Sequence, residues 1–162
     1  MTSGSLVQVD GNTTPGEYAP SIENATVHVL GRAALPAATL KSMERLLSGG
    51  VDSQWLAVQG IVHSVNVEDR LPPDMRPGTP QLVLLIAADG HQFKARVRQF
   101  QSGGDYSKLV GATVTVRGAC GTLFNARRQL TGVQLFVPSI DQVTVGHSGP
   151  HGSLCLTGVP HQ

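Results

Sequence analysis

The stretch QWLAVQGIVHSVNVED, from Gln54 to Asp69, constrains this chain more than any other. It alternates as a strand does, with Trp55, Ala57, Gln59, Ile61, His63 and Val65 on one face. Leu56, Val58, Gly60, Val62, Ser64 and Asn66 fall on the other. Both faces are largely apolar in the first half, so this half must be covered on both sides. Gly60 interrupts the middle, where a bulge or sharp bend lets one strand serve two sheets.

The rest of the chain is read around that strand. ATVHVLG, from Ala25 to Gly31, is a strand with Val27 and Val29 on one face. AATLKSMERLLSGG then reads as a short helix, with Leu40, Met43 and Leu47 on one side, Leu46 alongside, and a glycine cap at Gly49-Gly50. RLPPDMRPGTP carries too many prolines for regular structure. QLVLLIAADG and HQFKARVRQF form a hairpin around Asp89-Gly90. A connector with one helical turn at Tyr106 to Val110 leads to the strand ATVTVRGACG. The turn FNARRQL, the strand VQLFV and a closing strand IDQVTV follow.

A long bent strand, a hairpin, a short connector and two more strands are the pattern of a small five-stranded Greek-key barrel, the OB-fold. The fold class expected is mainly β, with one short helix before the first barrel strand. An open β-sandwich fragment is the alternative. Residues 1–24 are expected as a flexible lead, 25–50 as a strand and helix leading in, 51–146 as the barrel and 147–162 as a disordered tail.

Composition narrows function. The 162 residues carry a net charge of +1 with 14% charged residues, which argues against global steering toward nucleic acid or an anionic membrane. No apolar run approaches the length of a membrane span, and no export signal precedes the first strand. His147, His151, His161 and Cys155 sit in the tail without the fixed spacing of a zinc site, so neither metal nor cofactor is expected. Cys120 reads as a small buried thiol. Asp52, Glu68, Asp69, Asp89 and Asp105 fall at turns or strand ends, and no nucleophile elbow or phosphate-cradling loop is present; the chain reads as a non-enzyme.

Two groups of residues remain as ligand-binding candidates. Lys94, Arg96 and Arg98 alternate onto one face of their strand, opposite Phe93, Ala95 and Val97, and Arg117 on the neighbouring strand is expected to join them. Asn125, Arg127, Arg128 and Gln129 lie in the turn between the fourth and fifth barrel strands, which in OB barrels faces ligand. Guanidinium forks suit phosphate or carboxylate. The structural alternative is a solvated turn in which Asn125 stabilises the bend and Gln129 bonds the backbone. Single-stranded nucleic acid needs stacked rings beside a basic groove. Aromatics are only 4% of the chain, Tyr106 is the one ring expected exposed, and Trp55 and Phe136 are expected buried. A small anionic ligand therefore ranks ahead of nucleic acid.

The segments ATVHVLGRAALPAATLKSMERLLSGGVDSQWLAVQGIV, IVHSV and VTVRGACGTLFNARRQLTGVQLFVPSIDQVTV together resemble OB-like domains of bacterial membrane-bound sensor proteins, including sensor histidine kinases. The resemblance covers roughly Ala25 to Val145. It implies a sensory or ligand-binding module in an extracytoplasmic region, with an unknown small ligand or neighbouring domain as partner. It also implies that the first residues are the remnant of an upstream repeat. The edge at Ala25 to Leu30 would then add to its own barrel or pair with a second copy. A structural spacer between membrane and neighbour is the remaining alternative.

Overall fold

In a computed structural model, which describes residues 3–15, 20–68 and 80–146, the chain folds into a closed barrel preceded by a separate hairpin. Strands β1 (Ser5–Thr14) and β2 (Ser21–Arg32) pair antiparallel in a two-stranded sheet of their own. Val7 faces Val29 and Val9 faces Val27 across it. Gln8, Asp10 and His28 line the opposite face, where Gln8 Nε2 donates to Asp10 at 3.2 Å. Within the lead expected to be flexible over residues 1–24, Ser5–Thr14 forms a strand; β1 takes one edge of the Ala25–Leu30 segment and leaves its other edge unpaired among the described residues. The register explains why: the short alternation at Val7 and Val9 matches the valines of β2.

The helix is shorter than the apolar spacing suggests. Thr39–Leu40 forms a two-residue strand, β3, parallel to Leu56 and Ala57, and leaves Leu40 58% exposed rather than on the helix. Helix α1 spans only Met43–Leu47, because Ser42 caps it by accepting from the Arg45 N–H. Met43 and Leu46 are fully buried, and Gly49 follows at φ +74°, the left-handed position a glycine favours.

Five strands close the barrel: β4 (Trp55–Glu68), β5 (Gln81–Ala88), β6 (His91–Gln99), β7 (Thr113–Phe124) and β8 (Leu130–Ser139). Their order is β4-β5-β6-β8-β7 and back to β4, with β6 and β8 parallel. Gly60 sits where β4 changes partners. Trp55 to Ile61 pair with β7, and Ile61 to Glu68 pair with β5. A Cβ on Gly60 would stand 2.6 Å from the Ala87 carbonyl oxygen, so only glycine permits that approach. The register slip itself lies at His63, between Val62 and Ser64, and it turns Ser64, Asn66 and Glu68 to the outer face. This five-stranded connectivity is the OB-fold.

Both residues of the β5–β6 hairpin turn have the positive φ that an Asp-Gly turn requires, with Asp89 at +49° and Gly90 at +77°. Asp89 also accepts from the Met43 N–H at 3.0 Å, pinning α1 across that end of the barrel. The connector holds a 3₁₀ turn at Ser107–Leu109, and Val143–Val145 forms β9, which pairs with Val114 to Val116 of β7. The expected tail at 147–162 and most of the proline-rich loop lie outside the described residues.

Candidate functional site

Inside the barrel, residues such as Leu56, Leu84, Ile86, Phe93, Val114 and Leu135 pack together, and no polar or charged side chain is buried among the described residues. An interior so filled leaves the outer surface as the place for a ligand.

The basic stripe on β6 projects outward, as the burial of Phe93, Ala95 and Val97 requires. Its members do not behave alike. Arg96 Nη1 donates to Glu68 Oε2 at 2.9 Å, and Lys94 Nζ lies 3.3 Å from Glu68 Oε1. Register places Val83 of β5, only 3% exposed, opposite both Arg96 of β6 and Asn66 of β4, so the contact from Arg96 to Glu68 spans β5. Partial burial alone would raise the Glu68 pKa, but the hydrogen bonds and charges of Arg96 and Lys94 outweigh it and hold the carboxyl below its ordinary value. Lys94 and Arg96 are thus engaged by Glu68. Arg98 is exposed and carries no such partner among the described residues.

Arg96 also donates through Nε to Gln134 Oε1 of β8 at 3.1 Å. A guanidinium can only donate, so the Gln134 amide must face it with its oxygen. The Nε2 donor of Gln134 is left pointing to the other side.

Arg96 stands opposite Phe136 of β8, and Phe136 stands opposite Ala119 of β7. The ring is outside the barrel and 37% exposed, not buried as expected. Its parity with Val133, Leu135 and Val137, all buried, forces it outward. It extends over Gly121, where a Cβ would meet Phe136 Cε2 at 2.6 Å. Tyr106 makes the opposite exchange. Expected exposed, it packs edge-on against Phe100 with ring centroids 6.1 Å apart. Trp55 is half-buried, and its Nε1 is enclosed with no partner.

The strand of Arg117 does not neighbour β6 as expected, because β8 pairs between them; Arg98 and Arg117 are instead the diagonal neighbours of Phe136, one on each flanking strand. Such positions lie ~7–8 Å apart, within reach of a long side chain. Arg117 gives one N–H to Thr144 Oγ1 at 3.0 Å and keeps its remaining donors.

On the other side of the ring, an open groove of about 410 Å³ runs along β7 and β8, bordered by Asp52, Ser53, Gly121, Phe124, Gln134 and Phe136. The Asp52–Ser53 turn is clamped there: the Ser53 N–H donates to the Cys120 carbonyl at 2.8 Å, with Ser53 at φ +59°. Asp52 Oδ1 accepts from the Thr122 N–H at 2.8 Å and from its hydroxyl at 2.7 Å. Burial would raise the Asp52 pKa, and these bonds more than reverse that. Cys120 points inward and is 2% exposed; burial, then the Asp52 charge, push its thiol up to about 11.

The second group of sequence candidates is a turn built by its asparagine. Asn125 Oδ1 accepts from the Arg127 and Gln129 N–H groups at 2.9 and 3.0 Å, and Asn125 Nδ2 donates to Gln129 Oε1 at 2.9 Å. Arg128 sits at φ +60° at the bend, and both arginines are exposed. The turn precedes Leu130, whereas Arg98 pairs beside Val137 near the other end of β8. At 3.3 Å per residue they are ~20 Å or more apart. The structure therefore does not join Arg127 and Arg128 to the β6 stripe. It joins Arg98 and Arg117 instead, through Phe136, a residue that alternation against Leu135 marks as outward-facing.

No protein-family model matches this chain, and no curated protein does. Among solved structures it is similar to an aspartyl-tRNA synthetase from Entamoeba histolytica, with 11% identity and a TM-score of 0.44, over 67% of this chain and 21% of that one.

Proposed function

We propose that the chain is a non-enzymatic, ligand-binding OB barrel of a bacterial signalling protein, and that it takes a small anionic ligand on the outer face of β6, β8 and β7. One observation carries this reading: Arg98 and Arg117 flank an exposed Phe136, while the neighbouring Lys94 and Arg96 are held by Glu68. The hairpin of β1 and β2 is a sheet separate from the barrel, which is compatible with the tandem arrangement that the resemblance implies. Its valine face, with Val9, Val27 and Val29 exposed, is where a neighbouring domain or second copy would sit.

A thermal-shift panel of phosphate, sugar phosphates, dicarboxylates and nucleotides tests the ligand claim. A ligand at 100 times its dissociation constant stabilises the native state by about 2.7 kcal/mol. The double variant R98A/R117A loses that shift, and R127A/R128A keeps it. The reverse pattern moves the site to the turn, and no shift with any anion leaves the spacer reading. A single-stranded nucleic-acid binder is the second reading, favoured by the exposure of Phe136. It requires oligonucleotide affinity that falls steeply with salt.

A further inference from the structure

We infer that the anion taken by this face is a nucleoside monophosphate, with its base on Phe136 and its phosphate toward Arg98 and Arg117. This rests on the anion-binding reading above and adds the ligand's class from the groove on the other side of the ring.

The groove offers three complementary features. Phe136 is 37% exposed on the outer surface, and its Cε2 lies so close to Gly121 that a Cβ there would stand 2.6 Å away, so glycine permits the ring this position beside the groove. A flat ligand ring stacks on such a side chain, as bases do on exposed aromatics. Asp52 stays ionised near neutrality, with Oδ1 occupied by Thr122; Oδ2 accepts from the Ser53 hydroxyl at 3.2 Å, and a carboxylate oxygen has lone-pair capacity for a further donor. Gln134 presents a free amide donor, because Arg96 holds its oxygen. A carboxylate acceptor and an amide donor beside a stacking ring match a heteroaromatic edge carrying an amino group next to a ring nitrogen or carbonyl.

The two ends of the site fit one ligand. Gln134 and Pro138 bracket Phe136 on the outer face of β8, and Arg98 lies level with Pro138, between the Val97–Val137 and Gln99–Ser139 pairs. At 3.3 Å per residue that span is ~13 Å, comparable to a nucleoside 5′-phosphate from base edge to phosphate. The polarity is also consistent. The carboxylate lies at the base end and the free guanidinium groups at the phosphate end, so neither repels its part of the ligand. Arg96 acts here as a positioning residue, held by Glu68 and fixing Gln134.

Titration calorimetry on the full chain tests this with adenosine and cytidine 5′-monophosphates, ribose 5-phosphate and a short single-stranded oligonucleotide. Both mononucleotides are expected to bind at least tenfold tighter than ribose 5-phosphate. D52N is the discriminating variant, because asparagine keeps the Oδ1 acceptor for Thr122 and replaces only the ligand-facing oxygen. It should remove the base-dependent gain while leaving ribose 5-phosphate binding unchanged or slightly tighter, and F136L should remove the same gain. Equal affinity for mononucleotides and ribose 5-phosphate overturns the base assignment and leaves the anion site standing. An oligonucleotide that binds far more tightly than any mononucleotide overturns it in favour of a strand-binding surface. Binding of none of these probes removes both the assignment and the anion site for phosphates.

Discussion

At the residue scale, Glu68 decides which cations are available. One carboxylate engages both Lys94 and Arg96, and so turns a three-residue basic stripe into an anchored pair plus a free Arg98. Ion pairs that keep access to solvent, as Glu68 and Lys94 do, are worth little, at most about 1 kcal/mol each. The effect is on position more than on stability. Glu68 and Asp52 both have folded-state pKa values lowered from their ordinary ones near 4.5 and 3.8. A depressed carboxyl contributes stability that is present above its unfolded pKa and lost as pH falls through the folded one. The melting temperature should therefore be flat near neutrality and decline below about pH 4.5. In E68Q the decline should be shallower, which differential scanning calorimetry across pH 3 to 7 would show.

At the scale of elements, Gly60 and the hairpin make opposite statements. Gly60 joins two halves of one strand where backbone meets backbone at the Ala87 carbonyl, so G60A must move the sheet. A loss of ~2 kcal/mol, in the range of other overpacked cores, is expected in urea unfolding. The hairpin of β1 and β2 forms no sheet with the barrel, and β2 is exposed along its whole length. A lone two-stranded hairpin is marginal in water. Hydrogen exchange should find the amides of Val9 and Val27 far less protected than those of Val58 and Val116. Comparable protection would mean that this hairpin is covered in solution, by a second copy or by another part of the protein.

The same elements show what alternation can and cannot tell. Strand positions follow from period-two patterning and from Asp89-Gly90, and the change of partner at Gly60 follows from a glycine amid an apolar run, whereas the insertion of β8 between β6 and β7 does not show in alternation. Alternation also contains the outward direction of Phe136, but its aromatic character argues for burial. That conflict is settled by Leu135 and Val137 filling the interior. Two features depend on pairings distant in sequence and leave no local trace. They are the Glu68–Arg96 contact across β5 and the His63 slip that turns Glu68 outward. Helix α1 is short for a local reason, since Ser42 supplies a cap that competes with extending the apolar spacing back to Leu40.

At the scale of the whole molecule, the barrel interior is apolar among the described residues, and an outer groove is bordered by the Phe136 ring, the Asp52 carboxylate and the Gln134 amide, with Arg98 and Arg117 diagonal to Phe136. The most direct test is an amide chemical-shift titration of the full chain with adenosine 5′-monophosphate. The account predicts saturable shifts concentrated at Ser53, Arg98, Arg117, Gly121, Gln134 and Phe136, with the turn at Asn125 to Gln129 unmoved. Shifts confined to that turn, or none at saturating ligand, would contradict it.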